Sequence, residues 1–223
     1  MLRSEVNEAL AIIDRMMDQL AACFLGATGR SSFAARNAIG GMRARAESYL
    51  RNAALGAPLQ ACFDTTRVAG ATFNQFTVVH RAILAETPIA LPAVLVVQAG
   101  IQFVLSQMAR VLAATTFVSR TDADDALVKM NDVFDPAEEA AADQHDAGSY
   151  QALLTLHGAV TRDLTARGLL LPRVIDVTLP EVMPSLWIAN HLYYDGSRAD
   201  EIAAENKVVH PAFCPLRLRI LSQ

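Results

Sequence analysis

Residues 188–207 read IANHLYYDGSRADEIAAENK, and the structure predicted for the C-terminal part of the chain is built around this segment. Apolar residues at helical spacing lie on both sides of Asp195 and Gly196, which predicts helices at 185–193 and 200–206 joined by a turn. Before them, the β-branched segment 173–179 predicts a strand, and after them the alternating LRLRIL at 216–221 predicts another. The sequence therefore predicts a compact βααβ unit.

The preceding 168 residues carry helical patterns separated by glycine and proline. Helices are predicted at 4–24, 31–54, 58–86, 91–117, 121–134, from 135 onward, and at about 150–168. Thr121 with Asp124 is the predicted capping box of the fifth helix, and Asp135-Pro136 is the predicted start of the next. The predicted fold class is mainly α: a multi-helix bundle body at 1–168, followed by a small βααβ domain at 169–223.

Two of these helices carry heptad-like seams, a pattern that favours packing against partner helices. The first seam consists of Leu10, Ile13, Met17, Leu20 and Phe24. The second consists of Tyr150, Leu153, His157, Val160 and Leu164. We interpret both seams as surfaces that neighbouring subunits could cover.

The segment 87–109 carries no formal charge and is long enough to cross a bilayer. Three polar residues of this segment and the arginine just after it fall on one helical stripe: Gln98, Gln102, Ser106 and Arg110. The stripe favours a central, mostly buried helix, so we predict no membrane span. The N-terminal MLRSEVNEAL lacks the apolar core of a secretion signal.

Charge and cysteine content exclude further classes of function. The net charge of −4 disfavours a dedicated nucleic-acid surface, since such surfaces are basic. Cys23, Cys62 and Cys214 are far apart and lack CxxC spacing, which suits neither a disulfide framework nor a zinc site. We expect reduced thiols in a protein made in a cytoplasm, with one disulfide left open if the mature protein meets an oxidising medium.

Catalytic and metal-binding patterns are weak in this sequence. It contains no P-loop, GxGxxG, HExxH or GxSxG motif, so we predict that the chain is not an enzyme and has no cofactor. One acidic stretch resembles a metal cluster in composition: Glu138, Glu139, Asp143, His145 and Asp146. Its spacing spreads these groups around a helix end, which predicts solvated surface. His157, on the second seam, is predicted to be a core or interface residue, and no metal site is expected.

Three motifs in order carry a resemblance to a known family. They are TRDLTARG at 161–168, TLP at 178–180, and DGSRADEIAAEN at 195–206 with His210-Pro211. The last motif resembles a LysM module, although Tyr194 stands where such modules have glycine, which predicts an altered turn. From about residue 143 to 222, the chain is similar to the C-terminal region of DNA-circularisation (DNA-circulation) proteins of Mu-like phages and related tail proteins.

The resemblance implies a structural component of a phage or phage-like tail or baseplate, located in the virion after synthesis in the host bacterial cytoplasm. The implied partners are other tail hub and tube proteins, together with copies of the chain in three- or six-fold symmetry. The implied partner-binding surface consists of Trp187, Tyr193, Tyr194, Asp195, Arg198 and Asn206. From the aromatic residues alone, a role in the core of the unit and a role in binding both stay open.

Two other functions stay open at the level of sequence. The first is a peptidoglycan-binding LysM module of a tail or cell-wall-associated protein, with weak glycan contact. The second is protection or joining of DNA ends, which the family's name suggests and the acidic charge balance disfavours.

Overall fold

The computed structural model describes residues 2–144 and 146–222. It is mainly helical, with a small two-stranded sheet near the C-terminus. This confirms the predicted fold class of a helical body followed by a small βααβ unit.

The helices of the body are α1 (Arg3–Ala22), α2 (Arg30–Arg51), α3 (Gly56–Val68), α4 (Phe73–Leu84), α5 (Leu91–Ala114), α6 (Arg120–Asp143) and α7 (Ala147–Leu169). The C-terminal unit consists of β1 (Val174–Thr178), α8 (Ser185–Tyr193), a 3-10 turn (Gly196–Arg198), α9 (Ala199–Glu205) and β2 (Arg217–Leu221). We call the segment from β1 to β2 the C-terminal module.

The single helix predicted at 58–86 is wrong, because the chain forms α3 and α4 there. Gly70 lies between them with a φ of +99°, a conformation that glycine adopts without the steric penalty of a Cβ atom. Thr72 then begins α4: its hydroxyl accepts the Gln75 N–H at 3.3 Å, and its own N–H donates to the Gln75 side chain at 2.8 Å. In this capping box, the two side chains accept from backbone N–H groups that lack a helical partner at the start of α4.

The two helices predicted at 121–134 and from 135 are also wrong, since α6 is continuous through Pro136. Val133, Phe134 and Ala137 are buried on one face of α6 on either side of the Asp135-Pro136 start signal. Burying that continuous apolar face outweighs the backbone hydrogen bond that proline removes.

The predicted capping box of that helix is displaced by two residues. Ser119 accepts the Asp122 N–H at 3.2 Å, and the Ser119 N–H donates to the Asp122 carboxylate at 3.1 Å. Thr121 therefore lies inside the first turn of α6 and does not cap it.

The bundle core lies where α1 meets α2, α4 and α5, and where α5 meets α3 and α4. Gly100 of α5 permits a close approach to α1, because a Cβ atom there would come within 2.5 Å of the Met16 methyl carbon. Ile13, Met17 and Leu20, from the first predicted seam, are fully buried inside the chain. That seam is therefore used within the protein and supports no interface with another subunit.

Helix α5 passes the test of length and composition for a membrane-spanning helix, and 44% of its most apolar window is buried in the protein. Its polar stripe makes contacts within the chain. Gln102 donates to the Ser149 hydroxyl at 2.6 Å, and Arg110 bonds to Asp64 at 2.7 Å. These contacts, with the packing of α5 on three other helices, favour a core helix.

The chain groups into two compact units by its contacts. One comprises residues 1–115 and 130–160, and the other comprises residues 116–129 and 161–223. Helices α6 and α7 thus each contribute to both units, and the division predicted at residue 168/169 stays a prediction.

The cysteines are free thiols, and Cys23, Cys62 and Cys214 are all buried. Burial raises the pKa of Cys23 and of Cys62 to about 11, because a thiolate is poorly solvated inside a protein core. Such thiols are unreactive at neutral pH.

Candidate binding surface of the C-terminal module

The sheet of the C-terminal module is an antiparallel pair in which Val174 faces Leu221 and Thr178 faces Arg217. Backbone hydrogen bonds continue the pairing beyond both ends. The Ser222 N–H donates to the Arg173 carbonyl at 2.7 Å, and the Leu179 N–H donates to the Leu216 carbonyl at 2.7 Å. The first and last segments of the module are therefore tied together along their whole length.

A small apolar core lies in the module. Its buried members are Leu179, Ile188, Ala189, Tyr193, Ile202, Cys214, Leu218 and Ile220. Ile188 of α8 and Ile202 of α9 are 0% and 1% exposed. The apolar positions of both helices therefore point into one common core.

Tyr193 and Arg198 hold this core closed. Tyr193 is 9% exposed, and its hydroxyl donates to the Leu221 carbonyl at 2.6 Å. The Arg198 guanidinium lies 3.7 Å from the centre of the Tyr193 ring and bonds to Glu201 at 2.6 Å. Burial raises the pKa of Tyr193 above its usual value. The ring is thus enclosed by the module and offers little surface to a partner.

Asn206 ties the end of α9 to strand β2. Its side-chain amide donates to the Ile202 carbonyl at 2.9 Å and to the Arg219 carbonyl at 2.7 Å. Its side-chain carbonyl accepts the Arg219 N–H at 2.8 Å. Three bonds from one amide satisfy backbone groups at a helix end, which is an architectural role.

Tyr194 and Asp195 form the turn after α8. Tyr194 ends α8 with a φ of +59° and is 89% exposed, so the turn has the left-handed conformation typical of glycine although the residue is tyrosine. That this turn differs from that of LysM modules stays a prediction. Asp195 accepts the Ser197 N–H at 2.9 Å. Hydrogen bonding from the Ser197 side chain, and then from this N–H, holds the pKa of the Asp195 carboxyl below its usual value.

Trp187 lies outside the module's core and is 45% exposed. Its ring stacks on His191 with the ring centres 4.6 Å apart. Beside it is an open groove of about 450 Å³ that is lined by Pro184, Leu186, Trp187, Asn190 and Gly196. Trp187 can therefore present one side of its ring to a ligand or partner.

The six residues predicted to form one surface thus divide into two groups. Tyr193, Arg198 and Asn206 make the internal contacts described above, whereas Trp187, Tyr194 and Asp195 are accessible. Sequence reasoning missed Leu186 and Asn190 of the groove. Their spacing of four residues on the helix that carries Trp187 is the signal that could have found them.

A second polar cluster lies between α6 and α7, in the other compact unit. The His157 ring nitrogens are 2.9 Å from a carboxylate oxygen of Glu138 and 2.9 Å from the side-chain oxygen of Asn131. The ring stacks on Phe134 with centres 4.8 Å apart. Asp135 joins this group, and the ligand-type atoms of Asp135, Glu138 and His157 all lie within 4.8 Å of one another.

The sequence had assigned these residues separately, with Glu138 on a solvated helix end and His157 on a seam. The structure brings Glu138 together with His157, and both are less than one-fifth exposed. Glu139 and Asp143 of the predicted solvated stretch are exposed, whereas Asp146 is half-buried. His145 of the same stretch lies outside the described residues.

Comparison with known proteins adds no assignment. No protein-family model matches the chain, and no curated protein matches its sequence at a significant level.

Proposed function

We propose that the chain is a non-catalytic structural component of a phage or phage-like tail or baseplate, and that its C-terminal module docks onto other tail subunits. The observation that carries the proposal is the exposure of Trp187, Leu186 and Tyr194 on one small module whose core is already closed without them. Large aromatic side chains dominate the energetics of protein interfaces. The resemblance of the three motifs at 161–211 to phage tail proteins is the reason for proposing a tail as the assembly.

The proposed neighbours are tail hub and tube proteins and further copies of the chain in a ring of three- or six-fold symmetry. The proposed location is the virion. Neither a nucleic-acid surface nor a membrane span belongs to this proposal, in keeping with the acidic balance of the chain and the packing of α5.

The test is co-purification of the full-length chain with tail proteins from producing cells, together with mass photometry of the purified chain. We expect ring-sized species and retention of tail subunits. The double variant Trp187→Ala/Tyr194→Ser should lose the tail subunits while keeping its circular dichroism spectrum. A stable monomer that retains no tail subunit would refute the proposal.

A matched control is Phe33→Ala, which removes an aromatic ring that is 63% exposed on α2. It also removes exposed aromatic surface, but in the other compact unit. The control should retain the tail subunits. Equal loss in both variants would mean that general surface hydrophobicity, and not the module, is responsible.

The groove beside Trp187 favours one alternative, a peptidoglycan-binding role, because an open aromatic ring over a shallow groove suits the apolar face of a sugar. Sedimentation with insoluble peptidoglycan distinguishes the two functions. Binding that is lost in Trp187→Ala supports the glycan function. If wild-type chain stays in the supernatant while it retains tail subunits, the docking function stands.

A further inference from the structure

We propose that Asp135, Glu138 and His157 bind a divalent transition-metal ion of the Zn²⁺ class between α6 and α7. The inference does not depend on the proposed tail function. It also departs from the expectation, drawn from the sequence, that the chain has no metal site.

The first observation is the placement of the side chains on α6. Residues 131, 134, 135 and 138 are spaced i, i+3, i+4 and i+7, so they share one face of that helix. His157 of α7 meets this face, with a carboxylate of Glu138 on one side of the ring and Asn131 on the other. Two helices thus contribute ligands to one point, as in metal sites of helical bundles.

The second observation is the hydrogen bonding of the His157 ring. In the tautomer with the proton on Nε2, that nitrogen donates to the Asn131 side-chain oxygen 2.9 Å away. Nδ1 then has a lone pair and lies 2.9 Å from a carboxylate oxygen of Glu138. In the other tautomer Nδ1–H donates to Glu138 and the turned Asn131 amide donates to Nε2, so a metal ion at this point replaces that hydrogen bond.

The same arrangement is what a metal-ligating histidine needs. Ligating histidines donate their other ring N–H to an oxygen acceptor, which selects the tautomer and orients the ring. Here Asn131 is that acceptor, and the buried Phe134 ring stacks on the imidazole and limits its rotation. With the proton on Nε2, the lone pair of Nδ1 faces the Glu138 carboxylate, and Asp135 belongs to the same cluster of ligand atoms.

The charge of the site also favours a cation. Among residues 2–144 and 146–222, no lysine or arginine forms an ion pair with Asp135 or Glu138. Two carboxylates and one imidazole supply hard oxygen and borderline nitrogen donors, a set that suits Zn²⁺, Co²⁺ or Mn²⁺ better than Ca²⁺ or Mg²⁺.

Only a small movement of the side chains would bring the three ligand atoms to the separations found in a zinc site. Oxygen and nitrogen ligands about 2.0–2.2 Å from a zinc ion lie roughly 3–3.5 Å from one another, and the three ligand-type atoms are already within 4.8 Å. Asp135 is exposed and can move to close the site. Water would complete the coordination.

The experiment is titration of the metal-stripped, full-length protein with Zn²⁺ by calorimetry, and with Co²⁺ by visible spectroscopy. We expect saturation at one ion per chain and a cobalt spectrum without a thiolate charge-transfer band. Zn²⁺ should also raise Tm, because the ion binds the folded state. A thiolate band, or no saturable binding, would overturn the proposal.

Variants locate the site. Asp135→Asn, at an exposed position that should not disturb folding, is expected to weaken Zn²⁺ binding by about tenfold or more, and His157→Gln should abolish it. The positioning residue Asn131 is tested by Asn131→Ala, which should weaken binding by about tenfold without a matching change in Tm of the metal-free protein.

The matched control is Glu139→Gln, which removes one negative charge from the exposed position next to Glu138. Its Zn²⁺ affinity should stay within about twofold of the wild-type value, since surface charge alone contributes little. If Glu139→Gln weakens binding as much as Asp135→Asn does, the ion is held by general surface charge and the proposed site is wrong. Retention of binding by His157→Gln would have the same meaning.

Discussion

The bundle of α1–α5 and the C-terminal module reach stability by different means. The bundle encloses large side chains with no or almost no exposure, among them Met17, Phe63 and Phe76. The module has eight buried core residues and adds side-chain bonds to its backbone, through Tyr193 and Asn206. A small unit buries less apolar area per residue, so single hydrogen bonds carry a larger share of its stability. The following predictions test that contrast.

The largest effect is expected in the bundle. Phe63→Ala removes a ring that is 0% exposed and lies 6.0 Å, centre to centre, from the Phe103 ring. The cavity should lower the free energy of unfolding by about 3–5 kcal/mol. Urea denaturation measures the loss, and Phe33→Ala on the bundle surface should change it by less than about 0.5 kcal/mol. Equal effects of the two variants would contradict the picture of an apolar core.

Acid should weaken the bundle through His80. This residue is 2% exposed, and its Nε2 has no hydrogen-bond partner among the described residues. Burial, followed by the nearby charge of Arg81, lowers its pKa from 6.5 to about 4. The unfolded ring therefore binds a proton at a higher pH than the folded ring. The stabilisation is complete above about pH 6.5 and is lost as the pH falls towards 4, by an amount on the order of 3 kcal/mol.

The measurement is the free energy of unfolding between pH 7 and pH 4 for the wild type and for His80→Leu. The variant has no titrating ring at this position, so its curve should be flatter across that window. A variant curve parallel to that of the wild type would assign the acid sensitivity to other groups.

A smaller effect is expected in the module. Asn206→Ala removes the three hydrogen bonds between α9 and β2, which should destabilise the module by about 1–3 kcal/mol. Hydrogen exchange at the Arg219 amide, which donates to Asn206, reports the change directly. Asn190→Ala is the control, because Asn190 is exposed on α8. If the Arg219 amide exchanges at the wild-type rate in Asn206→Ala, these hydrogen bonds do not contribute to the stability of the module.

The smallest expected effect has the opposite sign. Tyr194→Gly should stabilise the module by about 0.5–1 kcal/mol, because glycine adopts the positive φ of this turn without a Cβ clash. Thermal unfolding measures the gain. Tyr194→Ala keeps the Cβ atom and should show no gain, so equal stabilisation by the two variants would exclude the backbone explanation.

Local patterns predicted the module better than the body. Proline or glycine lies within three residues before each strand and α-helix of the module. Helix α8 begins and ends where the sequence indicates, at 185 and 193. In the body, the Thr72–Gln75 capping box within the predicted helix 58–86 was overlooked. The Asp135-Pro136 start signal was misleading, because an apolar face that continues on both sides of it kept α6 intact.

Local sequence patterns were even less informative about the candidate sites. Tyr193 and Tyr194 are chemically identical neighbours, yet one is enclosed and the other is exposed, because the backbone changes to a left-handed conformation between them. Glu138 and His157 are 19 residues apart and meet only because α6 and α7 pack together. No local spacing rule links such residues.

Periodicity and chain-breaking residues act over a few neighbouring positions, so the amino-acid pattern was enough to predict the fold class and the order of strand, helix, helix and strand. The exposure of particular aromatic residues, the covering of the α1 seam and the convergence of two carboxylates on His157 became evident only in the folded chain. Those outcomes depend on contacts between segments distant in the chain, where burial of apolar surface outweighs local signals.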